Sequence, residues 1–180
     1  MTRYVALFRG INVGRAKRVA MADLRALLGD LGYSGATTLL NSGNAVFDAG
    51  AAQRGDHAQR IRSAVAERLG VDAAVIVKSA AEWKQVMSGN PFAAIASDPS
   101  RLLVAVTRTA EELAVARKLA AVEWGDDRIH VGAAAAYVWC AGGILASEAA
   151  MSLMKALGQT VTTRNWATAV KIDALLRTKR

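Results

Sequence analysis

The sequence predicts an α+β fold made of two ferredoxin-like halves, each with the order β-α-β-β-α-β, followed by a C-terminal helix. Two observations lead to this prediction. Short apolar runs alternate with helical segments in that order through residue 78, and the same order begins again after residue 100. In addition, 53% of the 180 residues are hydrophobic and 21% are charged, a balance typical of a folded, soluble chain.

The first half is assigned to residues 1–78. Gly32 and Gly70 end its two helices, because glycine readily takes the left-handed conformation that closes a helix. The turn sequence NSGN at residues 41–44 joins its second and third strands. In chain order the predicted elements are strand 3–9, helix 20–31, strands 37–40 and 45–47, helix 56–69 and strand 73–77.

A connecting segment, residues 79–100, contains a helix over 80–88 and an Asn-Pro-Phe loop, where Pro91 prevents the helix from continuing. The second half then covers residues 101–180. Its predicted elements are strand 102–107, helix 110–121, strands 128–131 and 135–140, helix 148–157, strand 161–163 and helix 164–177. The duplication depends on the short strand at 161–163, since without it the second half lacks a fourth strand.

Charge and cysteine content limit the class of protein. A formal charge of +8, shared between the two halves, suits a polyanionic partner, although the chain has no basic tail. Cys140 is the single cysteine and is interpreted as a buried, inert thiol, so no disulfide framework is expected within the chain. The apolar runs are too short for a signal peptide or a bilayer span, so we expect a cytoplasmic protein without a membrane partner.

Four short motifs occur in a fixed order: VALFRGINVG at residues 5–14, NSGNAVF at 41–47, NPF at 90–92 and TTRNWAT at 162–168. They resemble the motifs of the DUF1697 family of uncharacterised bacterial proteins. The resemblance implies a two-part α+β fold but supplies no reaction. Two positions depart from the family pattern, since Gly14 is followed by Arg15-Ala16 where the family often has Gly-Lys, and Ala167 stands where an asparagine is usual.

The loop after the first predicted strand contains two glycines and several cations, and no carboxylate precedes Asp23. Such a loop can hold an anion through its backbone N–H groups. We therefore expect a small phosphorylated or otherwise anionic ligand to be bound there. The spacing fits neither a P-loop nor a dinucleotide fingerprint. The predicted contacts in this loop are Arg9, Asn12, Lys17 and Arg18.

A structural alternative exists for this loop. Gly10 and Gly14 allow a tight exit from the strand, Asn12 bonds local backbone, and the cations are solvated. Ser42 and Asn44 of the NSGN turn contact the same ligand if that turn faces the loop, and otherwise they only make a hairpin turn.

The last predicted helix opens with Arg164, and a cation is unfavourable at a helix N-terminus. An anionic ligand held by Arg164 resolves this conflict, with Asn165 orienting the ligand and Trp166 forming a wall of its pocket. In the alternative, Arg164 pairs with a carboxylate elsewhere and Trp166 packs in the core.

No catalytic set is apparent, and the sequence names neither a reaction class nor a cofactor. His57 and His130 lack neighbouring cysteines or paired carboxylates, so no metal site is predicted. Asp126-Asp127 is interpreted as a solvated turn before a strand. A second hypothesis is a nucleic-acid-binding accessory protein, although the RNA-recognition signature is absent. A third is an interaction module without a ligand, in which the motifs serve only the fold.

Overall fold

The computed structural model describes residues 1–14, 17–41 and 43–178. The chain divides into two compact units. Unit 1 contains Met1–Trp83 and the segment that begins at Ile172, and unit 2 contains Lys84–Lys171. None of the described helices has the length and apolar character needed to cross a bilayer.

Unit 1 contains a four-stranded antiparallel sheet in the order β2-β3-β1-β4. Its elements are β1 (Thr2–Phe8), α1 (Met21–Asp30), β2 (Ser34–Leu39), β3 (Asn44–Ala49), α2 (His57–Leu69) and β4 (Val75–Ser79). Phe8 and Phe47 lie in one buried cluster with Leu24, Leu28 and Ile61 from the helices. The alternation of side chains along a strand and the apolar spacing of the helices produce this core. The boundary between unit 1 and unit 2 falls within helix α3 (Ala80–Ser88), between Trp83 and Lys84.

Unit 2 contains a second four-stranded antiparallel sheet, in the order β6-β7-β5-β8. Its elements are β5 (Leu102–Thr107), a 3-10 helix (Glu111–Ala121), β6 (Arg128–Val131), β7 (Ala136–Trp139), α4 (Glu148–Leu157) and β8 (Val161–Asn165). Its core joins Leu103 and Val138 from the sheet to Leu113 and Leu153 from the helices. The last helix, α5 (Trp166–Arg177), returns the chain to unit 1.

The predicted mixed α+β class is confirmed, with two antiparallel sheets and helices in the expected order. One helix differs in type, because residues 111–121 form a 3-10 helix instead of the predicted α-helix. Leu113, Ala116 and Leu119 pack in the core of unit 2 and recur every third residue, which suits three residues per turn.

The start of the last helix also differs from the prediction. Arg164 and Asn165 belong to β8, where they pair with Val104 and Leu103 of β5, and α5 begins at Trp166. The β-branched run at residues 161–163 favours an extended chain, and pairing with the buried strand β5 carries that conformation two residues further.

Four rings pack together in the core of unit 1. The ring centroids of Tyr33 and Phe47 are 4.5 Å apart, and those of Tyr4 and His57 are 4.6 Å apart. The hydroxyl oxygen of Tyr33 lies 2.9 Å from Nδ1 of His57. Burial lowers the pKa of His57 below 6.5, and the nearby Arg60 cation lowers it further against a smaller opposing effect of Asp56. The neutral imidazole is therefore the form that suits this core.

We expect the folded protein to become less stable as the pH falls through about 6.5, the ordinary pKa of histidine. The unfolded chain binds a proton at His57 more readily than the folded chain does, so acid favours unfolding. The measurement is the urea midpoint at about pH 7.5 and about pH 5.5 for the wild type and for His57→Gln. The wild type should lose more stability between these two values. An equal loss in the variant would show that other groups cause the pH dependence.

Candidate functional site

The loop after β1 has an unusual backbone. The angle φ is +67° at Gly10, +55° at Asn12 and +62° at Gly14, whereas Ile11 and Val13 between them do not have positive φ. Successive residues of opposite backbone hand can turn their N–H groups toward one concavity, the anion-binding arrangement called a nest. In this loop the Asn12 N–H already donates to the Lys17 carbonyl. Gly10, Val13 and Gly14 are exposed, and their N–H groups make no hydrogen bond within the described part of the chain.

Asn12 holds this loop in place. Its Nδ2 donates to the carbonyl oxygens of Val19 and Asn41, each at 2.8 Å. Its Oδ1 accepts from the Val19 N–H at 2.9 Å, and its own N–H donates to the Lys17 carbonyl at 3.0 Å. The side chain therefore bonds backbone groups. The bonds to Val19 lie within its own loop, as expected if Asn12 serves only the fold, and the bond to Asn41 joins a more distant segment.

A second loop, residues 40–43, lies against the first. The Phe8 N–H donates to the Gly43 carbonyl at 2.8 Å, and Leu40 has a φ of +57°. Asn44, the first residue of β3, is fully buried and donates from Nδ2 to the Leu39 carbonyl at 2.9 Å, so it supports the loop from inside. Ser42, also predicted as a contact, lies outside the described residues. We call the described residues of the two loops, 9–14, 17–19, 40–41 and 43, together the double loop.

Backbone strain in the described part of the chain is concentrated in the double loop. Its non-glycine residues with positive φ are Asn12, Lys17 and Leu40. The left-handed region costs an ordinary residue about 1–2 kcal/mol, and such residues cluster at functional sites. The strain is tolerated here because the bonds of Asn12 and the packing around Gly43 fix the backbone.

The cations of the double loop differ in their surroundings. Lys17 and Arg18 are exposed, and Arg9 is half-buried. The Arg62 guanidinium donates to Asp72 at 2.7 Å and holds the pKa of that carboxyl below its usual value, with a smaller contribution from Lys17. A carboxylate therefore lies close enough to Lys17 to interact with it, while the pairing with Arg62 already satisfies part of its charge.

The other three predicted contacts lie in unit 2. Nη1 of Arg164 donates to Thr162 Oγ1 at 3.0 Å and to the Thr163 carbonyl at 2.7 Å. Burial lowers the pKa of Arg164 to about 10, so the guanidinium remains charged near pH 7. Asn165 caps α5, since its Oδ1 accepts from the Thr168 N–H at 2.9 Å, and Trp166 is half-buried.

The prediction that Arg164 opens the last helix was wrong. The residue lies in β8, and the cap of α5 is an asparagine, which is favourable at that position. No conflict between a cation and the helix dipole therefore needs a ligand to resolve it.

Asp126 is exposed in a turn before β6, as interpreted, whereas Asp127 is half-buried and fixed by hydrogen bonds, which corrects the interpretation for that residue. Its Oδ1 accepts from the Ala141 N–H at 2.8 Å, and its Oδ2 accepts from Ser147 Oγ at 2.5 Å. Cys140 is buried, as predicted, and burial raises the pKa of its thiol. Among the described residues, no cluster of three or more His, Cys, Asp or Glu side chains could hold a metal ion.

One pair of residues was missed by the sequence analysis. His57 was considered only as a zinc ligand or a base, whereas the structure pairs it with Tyr33 through a direct hydrogen bond. The two residues are 24 positions apart, and no local motif joins them.

Comparisons with known proteins agree with the motifs. A family model described as "Protein of unknown function (DUF1697)" matches residues 1–137, a range that holds three of the four motifs and excludes TTRNWAT. The conserved bacterial protein SP0830 from Streptococcus pneumoniae has a similar structure, with a TM-score of 0.73 and 23% sequence identity over 98% of this chain and 99% of that one. At this identity the similarity shows the fold alone. None of the curated proteins matches the chain.

Proposed function

The chain belongs to the DUF1697 family, and we propose that it binds a small phosphorylated or otherwise anionic ligand at the double loop of unit 1. The observation that carries the proposal is the alternating sign of φ over residues 10–14, together with the N–H groups of Gly10, Val13 and Gly14, which have no partner among the described residues. Phosphate and carboxylate oxygens accept hydrogen bonds from such groups.

Charge and rigidity support this proposal. Arg9, Lys17 and Arg18 are cations of the same loop, and hydrogen bonds to anions are strengthened by charge. The loop is held by the bonds of Asn12, so little backbone freedom is lost when a ligand binds.

The remaining predicted contacts have secondary roles in the proposal. Asn44 supports the loop backbone from its buried position. Arg164, Asn165 and Trp166 belong to unit 2 and stay predicted contacts on which the double-loop proposal does not depend. They rank second, because Arg164 already donates to Thr162 and Thr163 and Asn165 already caps a helix.

The binding test uses inorganic phosphate and pyrophosphate as probes, followed by amide NMR shifts. We expect saturable shifts at Gly10, Val13 and Gly14, and an affinity about tenfold lower in the double variant Lys17→Ala/Arg18→Ala, a loss of about 1.4 kcal/mol. The matched control is Arg117→Ala/Lys118→Ala, which removes two adjacent exposed cations from the 3-10 helix of unit 2.

The alternatives give different results in the same test. If both double variants weaken binding equally, and only long RNA or DNA binds with an affinity that falls steeply with salt, the nucleic-acid hypothesis replaces this one. If the loop amides do not shift with any anion, the double loop serves only the fold.

We also propose that the two units are ferredoxin-like repeats. Both sheets place the first strand of the unit beside its third and fourth strands, with the second strand at the edge. This order, combined with the β-α-β-β-α-β sequence of elements, is what a duplicated ferredoxin-like chain requires.

A further inference from the structure

A cavity of about 520 Å³ lies on unit 1 beside the four packed rings. Tyr4 and His57 form part of its wall, and Gln53 and Arg54 contribute from the segment between β3 and α2. Small-molecule sites commonly measure about 300–1,000 Å³. Among the described residues that line the cavity there is no carboxylate, and Arg54 supplies a cation.

His57 presents a hydrogen-bond donor at this cavity. Tyr33 is 3% exposed, and burial raises the pKa of its hydroxyl, so the phenol keeps its proton. The imidazole is neutral near pH 7, because burial and Arg60 lower its pKa. The Tyr33 hydroxyl proton has no other acceptor within the described residues, so we assign it to Nδ1 of His57, 2.9 Å away, which places the imidazole proton on Nε2.

Nε2 of His57 has no hydrogen-bond partner within the described part of the chain. The buried phenol and the ring packing with Tyr4 fix the orientation of the imidazole. A donor without a described partner, on a fixed ring that lines the same cavity as Arg54, has the character of a binding group.

We propose that this cavity is a second binding site, distinct from the double loop, and that it takes a small aromatic carboxylate. His57 Nε2 donates to one carboxylate oxygen, and Arg54 pairs with the charge. Two donor groups suit the two oxygens of a carboxylate, whereas the series of N–H groups in the double loop suits phosphate. The ring of Tyr4 offers an apolar surface to the body of the ligand.

The test uses benzoate as the probe and the ¹⁵N and ¹H shifts of the His57 imidazole as the readout. We expect benzoate to shift Nε2 in a saturable one-to-one manner. Arg54→Ala should lower the benzoate affinity about tenfold, which is the scale of one lost charged hydrogen bond. Arg54 is exposed and its side chain makes no hydrogen bond in the described chain, so this variant should fold normally. Arg117→Ala/Lys118→Ala controls for the loss of positive charge.

Tyr33→Phe tests the positioning role of the phenol, because it keeps the ring packing and removes the hydroxyl. The ¹⁵N shifts should then show a mixture of imidazole tautomers, and the affinity for benzoate should fall several-fold. The proposal would be overturned if benzoate gave no saturable shift at His57. It would also be overturned if Arg54→Ala and the charge control bound benzoate with equal affinity. If the imidazole tautomer were unchanged in Tyr33→Phe, Tyr33 would have no role in positioning His57. Failure of this site leaves the phosphate shifts at Gly10 and Gly14 as an independent result.

Discussion

Gly43→Ala is expected to destabilise the protein by about 3 kcal/mol or more. A Cβ at this position would lie 2.7 Å from side-chain atoms of Ile11 and Phe8. Both of those residues are buried in the core of unit 1, so they have little room to move. The φ of Gly43 is +81°, which adds backbone strain for any residue with a side chain.

Gly10→Ala is the matched control for this prediction. Gly10 has a similar φ of +67°, but nothing lies within 4 Å of a Cβ built there. It should therefore cost only the strain of the left-handed conformation, about 1 kcal/mol. Urea unfolding of both variants checks the comparison. Equal losses would mean that backbone strain, and not crowding against Ile11 and Phe8, determines the stability of the turn.

Gly43 also illustrates what the sequence can and cannot predict. The turn at NSGN was evident from its residues, because glycine and asparagine favour positive φ. The crowding around Gly43 was not, since Ile11 is 32 positions away and meets it only through the pairing of β1 with β3. Local propensity thus located the turn, and the tertiary contacts that make glycine necessary there came from the sheet.

In unit 2, the ends of strands and helices likewise could not be predicted from local sequence alone. The β-branched residues at 161–163 predicted a strand, but its extension to Asn165 depends on pairing with β5. That extension moved Arg164 from a helix start into a sheet and removed the electrostatic argument for a ligand there. The 3-10 helix was not evident from the sequence, because residues 111–121 also contain Ala114, Val115, Ala120 and Ala121, and an i, i+3 spacing occurs on one face of an α-helix as well.

For the candidate site, the sequence showed the cations and the glycines of the first loop but did not predict the conformation of its backbone. Positive φ at Gly10 and Gly14 follows from residue type, whereas its occurrence at Lys17 and at Leu40 does not. Those conformations depend on the hydrogen bonds of Asn12 to Val19 and Asn41, which join segments that are separate in the sequence.

Asn12→Ala is therefore expected to destabilise the protein by about 4 kcal/mol, with about 1 kcal/mol from each of the three lost hydrogen bonds and about 1 kcal/mol from backbone strain. The substitution removes the two Nδ2 bonds to Val19 and Asn41 and the acceptor for the Val19 N–H. It also places alanine at a φ of +55°, which asparagine tolerates better. Thermal or urea unfolding measures the loss, and the phosphate shifts at Gly10 and Gly14 should weaken as well, because the loop is no longer held.

Two comparison variants separate the causes of this loss. Asn41→Ala should be nearly neutral, since Asn41 is exposed and contributes only its backbone carbonyl to the bond with Asn12. Asn12→Gly removes the same side-chain bonds but relieves the backbone strain, so it should be less destabilising than Asn12→Ala by about 1 kcal/mol. If Asn12→Gly matched the wild type, the hydrogen bonds would contribute little and the backbone conformation alone would explain the asparagine. If all three variants were neutral, the double loop would not depend on Asn12, and its rigidity could not support anion binding.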